Sequence, residues 1–110
     1  MLPESRPQIL VVDDEPNLRR VLAAQLARDG YDVHTAEDGV QGLLVLKEHH
    51  IDLVVTDLRM PNLDGMSLLR EVQRLEPELP VVMITASGTE QRLAALESGA
   101  DDFVTKPFDK

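Results

Sequence analysis

The stretch Ile9-Leu10-Val11-Val12-Asp13-Asp14-Glu15-Pro16 decides the fold. Its first four residues are a continuous β-branched and aliphatic run, the composition of a strand buried on both faces of a parallel sheet. The run stops abruptly in two aspartates. Asp14 is a natural helix cap and Pro16 suits a first turn, so a helix follows at once with Leu18, Val21, Leu22 and Leu26 expected on one face. Gly30 stands where a left-handed C-terminal cap is needed.

Outward from this β–α unit the same alternation repeats. Residues 31–35 alternate and suit a strand nearer an edge. Leu53-Val54-Val55 and the run 81–84 read as further buried strands, and Phe103-Val104 as a last short one. Val40, Leu43 and Leu44 mark a second helix. Leu68, Leu69, Val72 and Leu75 mark a third that Pro77 ends. A fourth, over 90–98, carries Leu93 and Leu96 and stops at Gly99. The order βαβαβαβαβ with short links predicts a three-layer α/β sandwich around a parallel sheet. A final helix is expected after the fifth strand, so the expectation is either that the chain is the N-terminal piece of a longer one or that something else covers that side of the sheet.

Composition narrows the function. In 110 residues there is room for one domain, and 43% apolar with 3% aromatic residues makes its core aliphatic. Eleven Lys and Arg against twenty Asp and Glu give a net charge of −9. Such a surface repels nucleic acid and anionic membranes, so cations and basic partner surfaces are the expected ligands. The absence of cysteine excludes disulfides and thiolate metal sites. No apolar run approaches the roughly 20 residues that span a bilayer. Residues 1–8 do not have the basic-then-apolar pattern of a signal peptide, and the expected location is cytoplasmic.

In an open parallel sheet, ligands bind beyond the carboxyl ends of the strands. Those ends carry Asp13-Asp14, Asp57, Thr85 and Lys106. Three carboxylates held together repel one another and call for a cation. An all-oxygen donor set suits Mg²⁺, a hard ion that keeps positions open for phosphate oxygens. Lys106 supplies a point charge, Thr85 a hydroxyl donor, and an aspartate can act as nucleophile by forming an acyl phosphate. The loop after the first strand has no glycine, so it is no phosphate cradle; flavodoxin-type FMN binding and P-loop nucleotide binding are disfavoured.

Taken singly, each feature has a plain structural reading. Asp13-Asp14 is equally a helix cap, Asp64-Gly65 a turn, Thr85 a strand end, Lys106 a solvated lysine and Phe103 a core aromatic. His49 and His50 close the second helix, where positive charge suits the dipole, and His34 has no partner visible in sequence. None of the three histidines is assigned to phosphotransfer or metal.

The segments Val12-Asp13-Asp14-Glu15, Asp57-Leu58-Arg59-Met60-Pro61 with Asp64-Gly65, Thr85-Ala86 and Lys106-Pro107-Phe108 together resemble the signature of response regulator receiver domains. The resemblance runs from about Ile9 to the end of the chain, and residues 1–110 are read as one receiver domain. It implies a flavodoxin-like five-stranded parallel sheet in the order 2-1-3-4-5. It also implies that Asp57 is the phosphoacceptor, and that Asp13, Asp14, Asp57 and the backbone carbonyl of Arg59 hold Mg²⁺. Lys106 and the backbone N–H of Ala86 would contact the phosphoryl group. Thr85 and Phe103 would form the switch, Arg59 and Ser87 would tune phosphoryl lifetime, and the Lys106-Pro107 bond would be cis. The stretch from Thr85 to Lys106 is about one residue shorter than the family's usual, in the 87–89 loop.

The implied partners are a sensor histidine kinase or phosphotransfer protein and an output domain on the C-terminal side, with a phosphorylation-dependent homodimer as one form the output can take. Nucleic acid and membrane are not expected as partners. The rival reading is a Mg²⁺-dependent aspartyl-phosphate hydrolase or phosphotransferase acting on small metabolites. Such enzymes place a second aspartate two residues after the nucleophile, where this chain has Arg59. A receiver used only as a binding module is the third reading, and the complete acidic set with Thr85 and Lys106 argues against it.

Overall fold

Ile9, Leu10, Val11 and Val12 are all buried, as a strand covered on both faces requires. They lie in β1 (Gln8–Val12) at the interior of the sheet. The structure is a computed structural model that describes residues 6–57, 63–85 and 102–105. After β1 come α1 (Pro16–Arg28), β2 (Asp32–Ala36), α2 (Gly39–Glu48), β3 (Leu53–Asp57), α3 (Gly65–Leu75), β4 (Val81–Thr85) and β5 (Asp102–Thr105). The five strands are all parallel, in the order β2-β1-β3-β4-β5, so the sheet matches the flavodoxin-like expectation. β2 is an edge strand, as its alternation suggested. The expected helix over 90–98 and the 87–89 loop lie outside the described residues. Among the described residues, no helix is long and apolar enough to cross a membrane.

Strand register separates the two faces. Leu10 pairs with Val54 and Val54 with Val81, while Val12 pairs with Thr56 and Thr56 with Met83, so these side chains share one face. α2 and α3 cover it with Leu46, Leu68, Leu69 and Val72 to form the main aliphatic core. The opposite face carries Ile9, Val11 and Ile84, which are buried, and Leu53, Val55 and Val82, which are half-buried. α1 lies against β1 and β2 there, and none of its residues is fully buried.

Several helix residues turn out differently from the apolar-face reading. Val21 in α1, Val40 and Leu44 in α2 and Leu75 in α3 are all exposed. Each sits on the flank of its helix, where successive side chains are about 100° apart and one apolar neighbour already faces the core. The cap of α1 is also corrected. Glu15, not Asp14, accepts the Leu18 N–H at 2.8 Å, because Asp13 Oδ1 takes the Glu15 N–H at 2.9 Å and moves the start of the helix one residue on. At the other end Gly30 adopts φ 102°. Its N–H reaches Ala27 O and the Tyr31 N–H reaches Leu26 O, the paired bonds of a Schellman cap.

Candidate functional site

Two strand ends and one turn place three carboxylates together. Asp13 leaves the carboxyl end of β1 and is fully buried. Its N–H continues the β1–β2 ladder to Ala36 O at 3.1 Å, its Oδ1 accepts from Glu15 N, and its main-chain carbonyl accepts from Arg19 Nη1 at 2.7 Å. Asp57 is the last residue of β3 and 6% exposed. The buried Thr56 hydroxyl donates to the Asp57 carbonyl at 3.0 Å, which fixes the main chain where it leaves the strand. Asp14, one residue beyond Asp13, is exposed to solvent. One carboxylate oxygen from each of Asp13, Asp14 and Asp57 lies within 4.8 Å of the others.

That donor set fits a hard divalent cation. All three groups are oxygen donors and anionic, two of them are withdrawn from water, and their mutual repulsion is relieved by a cation between them. Asp13 is held from three directions by the chain itself, so its carboxylate is oriented before any ligand arrives. The exposed Asp14 faces the solvent side, from which an ion would enter.

Of the other expected site residues, Thr85 ends β4 and pairs with Thr105, and Phe103 pairs with Met83 across β4 and β5. Both therefore occupy the two strands on the side of β3 away from β1. Arg59, Ala86, Ser87, Lys106 and the Lys106-Pro107 bond lie outside the described residues. Asp64, read in isolation as part of a turn, caps α3 by accepting the Ser67 N–H at 2.9 Å.

Two residues that support the site were not singled out by sequence. Arg19 and Thr56 act on the main chain of Asp13 and Asp57, and no motif spacing announces a side chain that bonds to a backbone carbonyl. His34 has partners after all. Its Nε2 is 2.8 Å from Gln8 Oε1, and its ring lies 4.5 Å from that of His49, at the opposite end of the sheet from Asp57. That His34 and Gln8 share a face, two residues apart in register, is visible only once β1 and β2 are aligned.

Comparison with known proteins agrees with this geometry. The model of the family described as response regulator receiver domain matches residues 9–110. The transcriptional regulatory protein GlrR of Escherichia coli (strain K12) is 46% identical over 103 residues, covering 93% of this chain and 23% of that protein. The chain thus spans under a quarter of that relative's length. Among solved structures, the receiver domain of NtrX from Brucella abortus is 40% identical with TM-score 0.87, covering 92% of this chain and 87% of that one. The response regulator protein TrrA from Thermotoga maritima, solved in complex with Mg²⁺-BeF, is 34% identical with TM-score 0.85, covering 94% and 89%.

Proposed function

The chain belongs to the response regulator receiver family of two-component systems, whose members are phosphoacceptor switches, and from that premise we propose that Asp57 is the residue that takes the phosphoryl group. The observation that carries the assignment is the meeting of Asp13, Asp14 and Asp57 at one end of the sheet, with Asp57 buried at a strand end and its main chain fixed by Thr56. Asp13, Asp14 and Asp57, with the backbone carbonyl of Arg59, would hold Mg²⁺. When bound, that ion offsets the negative charge that builds on the phosphoryl oxygens.

The donor is a phosphohistidine on a sensor histidine kinase or phosphotransfer protein. An Asp57 carboxylate oxygen attacks phosphorus, a P–O bond forms, the P–N bond breaks, and its electron pair returns to the imidazole nitrogen. Lys106 then pairs with a phosphoryl oxygen, while Thr85 and the backbone N–H of Ala86 donate to others. Engagement of Thr85 draws Phe103 inward and changes the surface presented by β4 and β5, which shifts a two-state equilibrium toward the output form. Water later cleaves the acyl phosphate and resets Asp57. The switch works in the cytoplasm, and its output passes to an attached effector or through a second copy of the chain.

The test is phosphorylation by a small donor. Incubation with Mg²⁺ and acetyl phosphate should add the mass of one phosphoryl group, EDTA should prevent the gain, and Asp57→Asn should abolish it. An unchanged mass in the wild type, or a gain that survives Asp57→Asn, rejects the assignment.

A further inference from the structure

Gly39 is the first residue of α2, directly after the cap Asp38, whose carboxylate accepts the Gln41 N–H at 2.9 Å. Its own N–H is not spent inside the helix. It donates to the main-chain carbonyl of Leu63 at 3.2 Å. A β-carbon at Gly39 would be driven into that same carbonyl oxygen, and would stand 2.8 Å from Leu63 Cβ and 3.0 Å from its Cδ2. The obstacle is backbone, which cannot swing aside as the end of a long side chain can. Leu63 in turn immediately precedes Asp64, the cap of α3. Leu63, six residues after Asp57 in the chain, is thus seated on the bare Cα of Gly39.

We infer that Gly39 is a positioning residue for the Asp57 site. By admitting Leu63 to direct contact, it lets α2 fix the far end of the segment that follows the phosphoacceptor, as the sheet fixes the near end. The inference rests on the reading of Asp13, Asp14 and Asp57 as the Mg²⁺-dependent phosphoacceptor site. A glycine three residues on supplies the control. Gly42 also packs tightly, but a β-carbon there would meet Val12 Cγ2 at 3.2 Å and Leu68 Cδ2 at 3.7 Å, both side-chain ends that can yield. The atoms nearest to a β-carbon at Gly42 belong to Val12 and Leu68, in the core.

The experiment compares wild type, Gly39→Ala and Gly42→Ala by calorimetric titration with Mg²⁺, with melting temperature and acetyl-phosphate labelling measured alongside. Gly39→Ala should bind Mg²⁺ about 10-fold more weakly, as loss of support behind a metal ligand does, and should label more slowly. Gly42→Ala should keep the wild-type affinity whatever its melting temperature. A Gly39→Ala protein that melts lower yet binds Mg²⁺ like the wild type overturns the inference and leaves the site assignment standing. Failure of the wild type to bind Mg²⁺ would instead overturn the assignment, and the inference with it. If Gly39→Ala does not fold, the wild type decides the matter by NMR. Mg²⁺ should shift the Gly39 amide and slow its hydrogen exchange more than that of Gly42, whose N–H is bonded within the helix to Asp38 O at 2.9 Å. Equal responses at the two amides overturn the inference.

Discussion

The guanidinium of Arg19 and the main-chain carbonyl of Asp13 are joined at 2.7 Å, so a side chain from the first turns of α1 grips the backbone of the most buried carboxylate in the acidic site. The contact sets positive charge behind Asp13 without occupying its carboxylate. It also joins the start of α1 to the end of β1, the junction on which the position of Asp14 depends.

Removing that grip should be felt in stability and in metal binding. Hydrogen bonds from charged groups contribute about 1.5–3 kcal/mol, and Arg19→Ala should lower unfolding free energy by that order. Arg19→Lys should restore only part of it, because an ammonium has no planar fork to reach past the turn. Urea denaturation with and without Mg²⁺ reads both effects. An Arg19→Ala protein as stable as the wild type would mean that the bond is solvent-replaceable.

Asp57→Asn should have opposite effects with and without metal. In EDTA the wild type holds three carboxylates within reach of one another, and neutralising one relieves repulsion. A gain of about 1 kcal/mol would raise the melting temperature by about 4–8 °C in a domain of this size. With free Mg²⁺ at a hundred times its Kd, the wild type should gain about 2.7 kcal/mol. The variant, one ligand short, should gain far less, so the order of stabilities inverts. Differential scanning fluorimetry in EDTA and in Mg²⁺ checks this, and a variant less stable than wild type in EDTA contradicts it.

What could be read from sequence, and what could not, divides along physical lines. The β1 run was legible because burial on both faces leaves no polar position to confuse the period, and Ile9 to Val12 are all buried. Gly30 was legible because a left-handed cap excludes most side chains, and it is the positive-φ glycine that ends α1. The sheet order came from family resemblance, since parallel strands joined by helices leave several orders open to pattern alone. The outward placement of Val21, Val40, Leu44 and Leu75 was not legible, because an apolar residue at the flank of a helix satisfies the same periodicity as one at its centre. Asp13, Asp14 and Asp57 could be brought together from strand ends alone. The supports behind them, Arg19 and Thr56, bond to main-chain carbonyls and leave no pattern in the chain.

The unequal faces of the sheet lead to a comparison of two truncations. Leu68 is fully buried between α3 and the Leu10–Val54–Val81 face, where Leu→Ala substitutions cost about 2–5 kcal/mol through lost burial and the cavity left behind. Val55 points to the opposite face and is half-buried, so Val55→Ala removes less area from a site that water already reaches. Leu68→Ala should therefore be destabilised by at least 1 kcal/mol more than Val55→Ala, by roughly the difference expected from their burial. Equal losses in urea unfolding would show that the Val55 face is packed as tightly as the other.

The far end of the sheet carries a pH-dependent contribution. Asp52 Oδ2 accepts the Gln8 N–H at 2.8 Å, and its Oδ1 lies 2.8 Å from His50 Nε2. The Gln8 amide chiefly favours the ionised carboxylate; burial opposes it, His50 adds to the amide's effect, and the net result holds the group below the ordinary aspartate value of 3.8. A carboxylate whose folded pKa is depressed stabilises the fold above its unfolded pKa and loses that contribution as pH falls through the folded value. Asp52→Ala should therefore be less stable than wild type at neutral pH. The gap should still be present at about pH 5 and close as pH falls below about 4. Other carboxylates titrate alike in both proteins and cancel in the difference. Urea midpoints for the pair across this range decide the matter, and a gap that persists or widens in acid would place the contribution of Asp52 in packing and not in its charge.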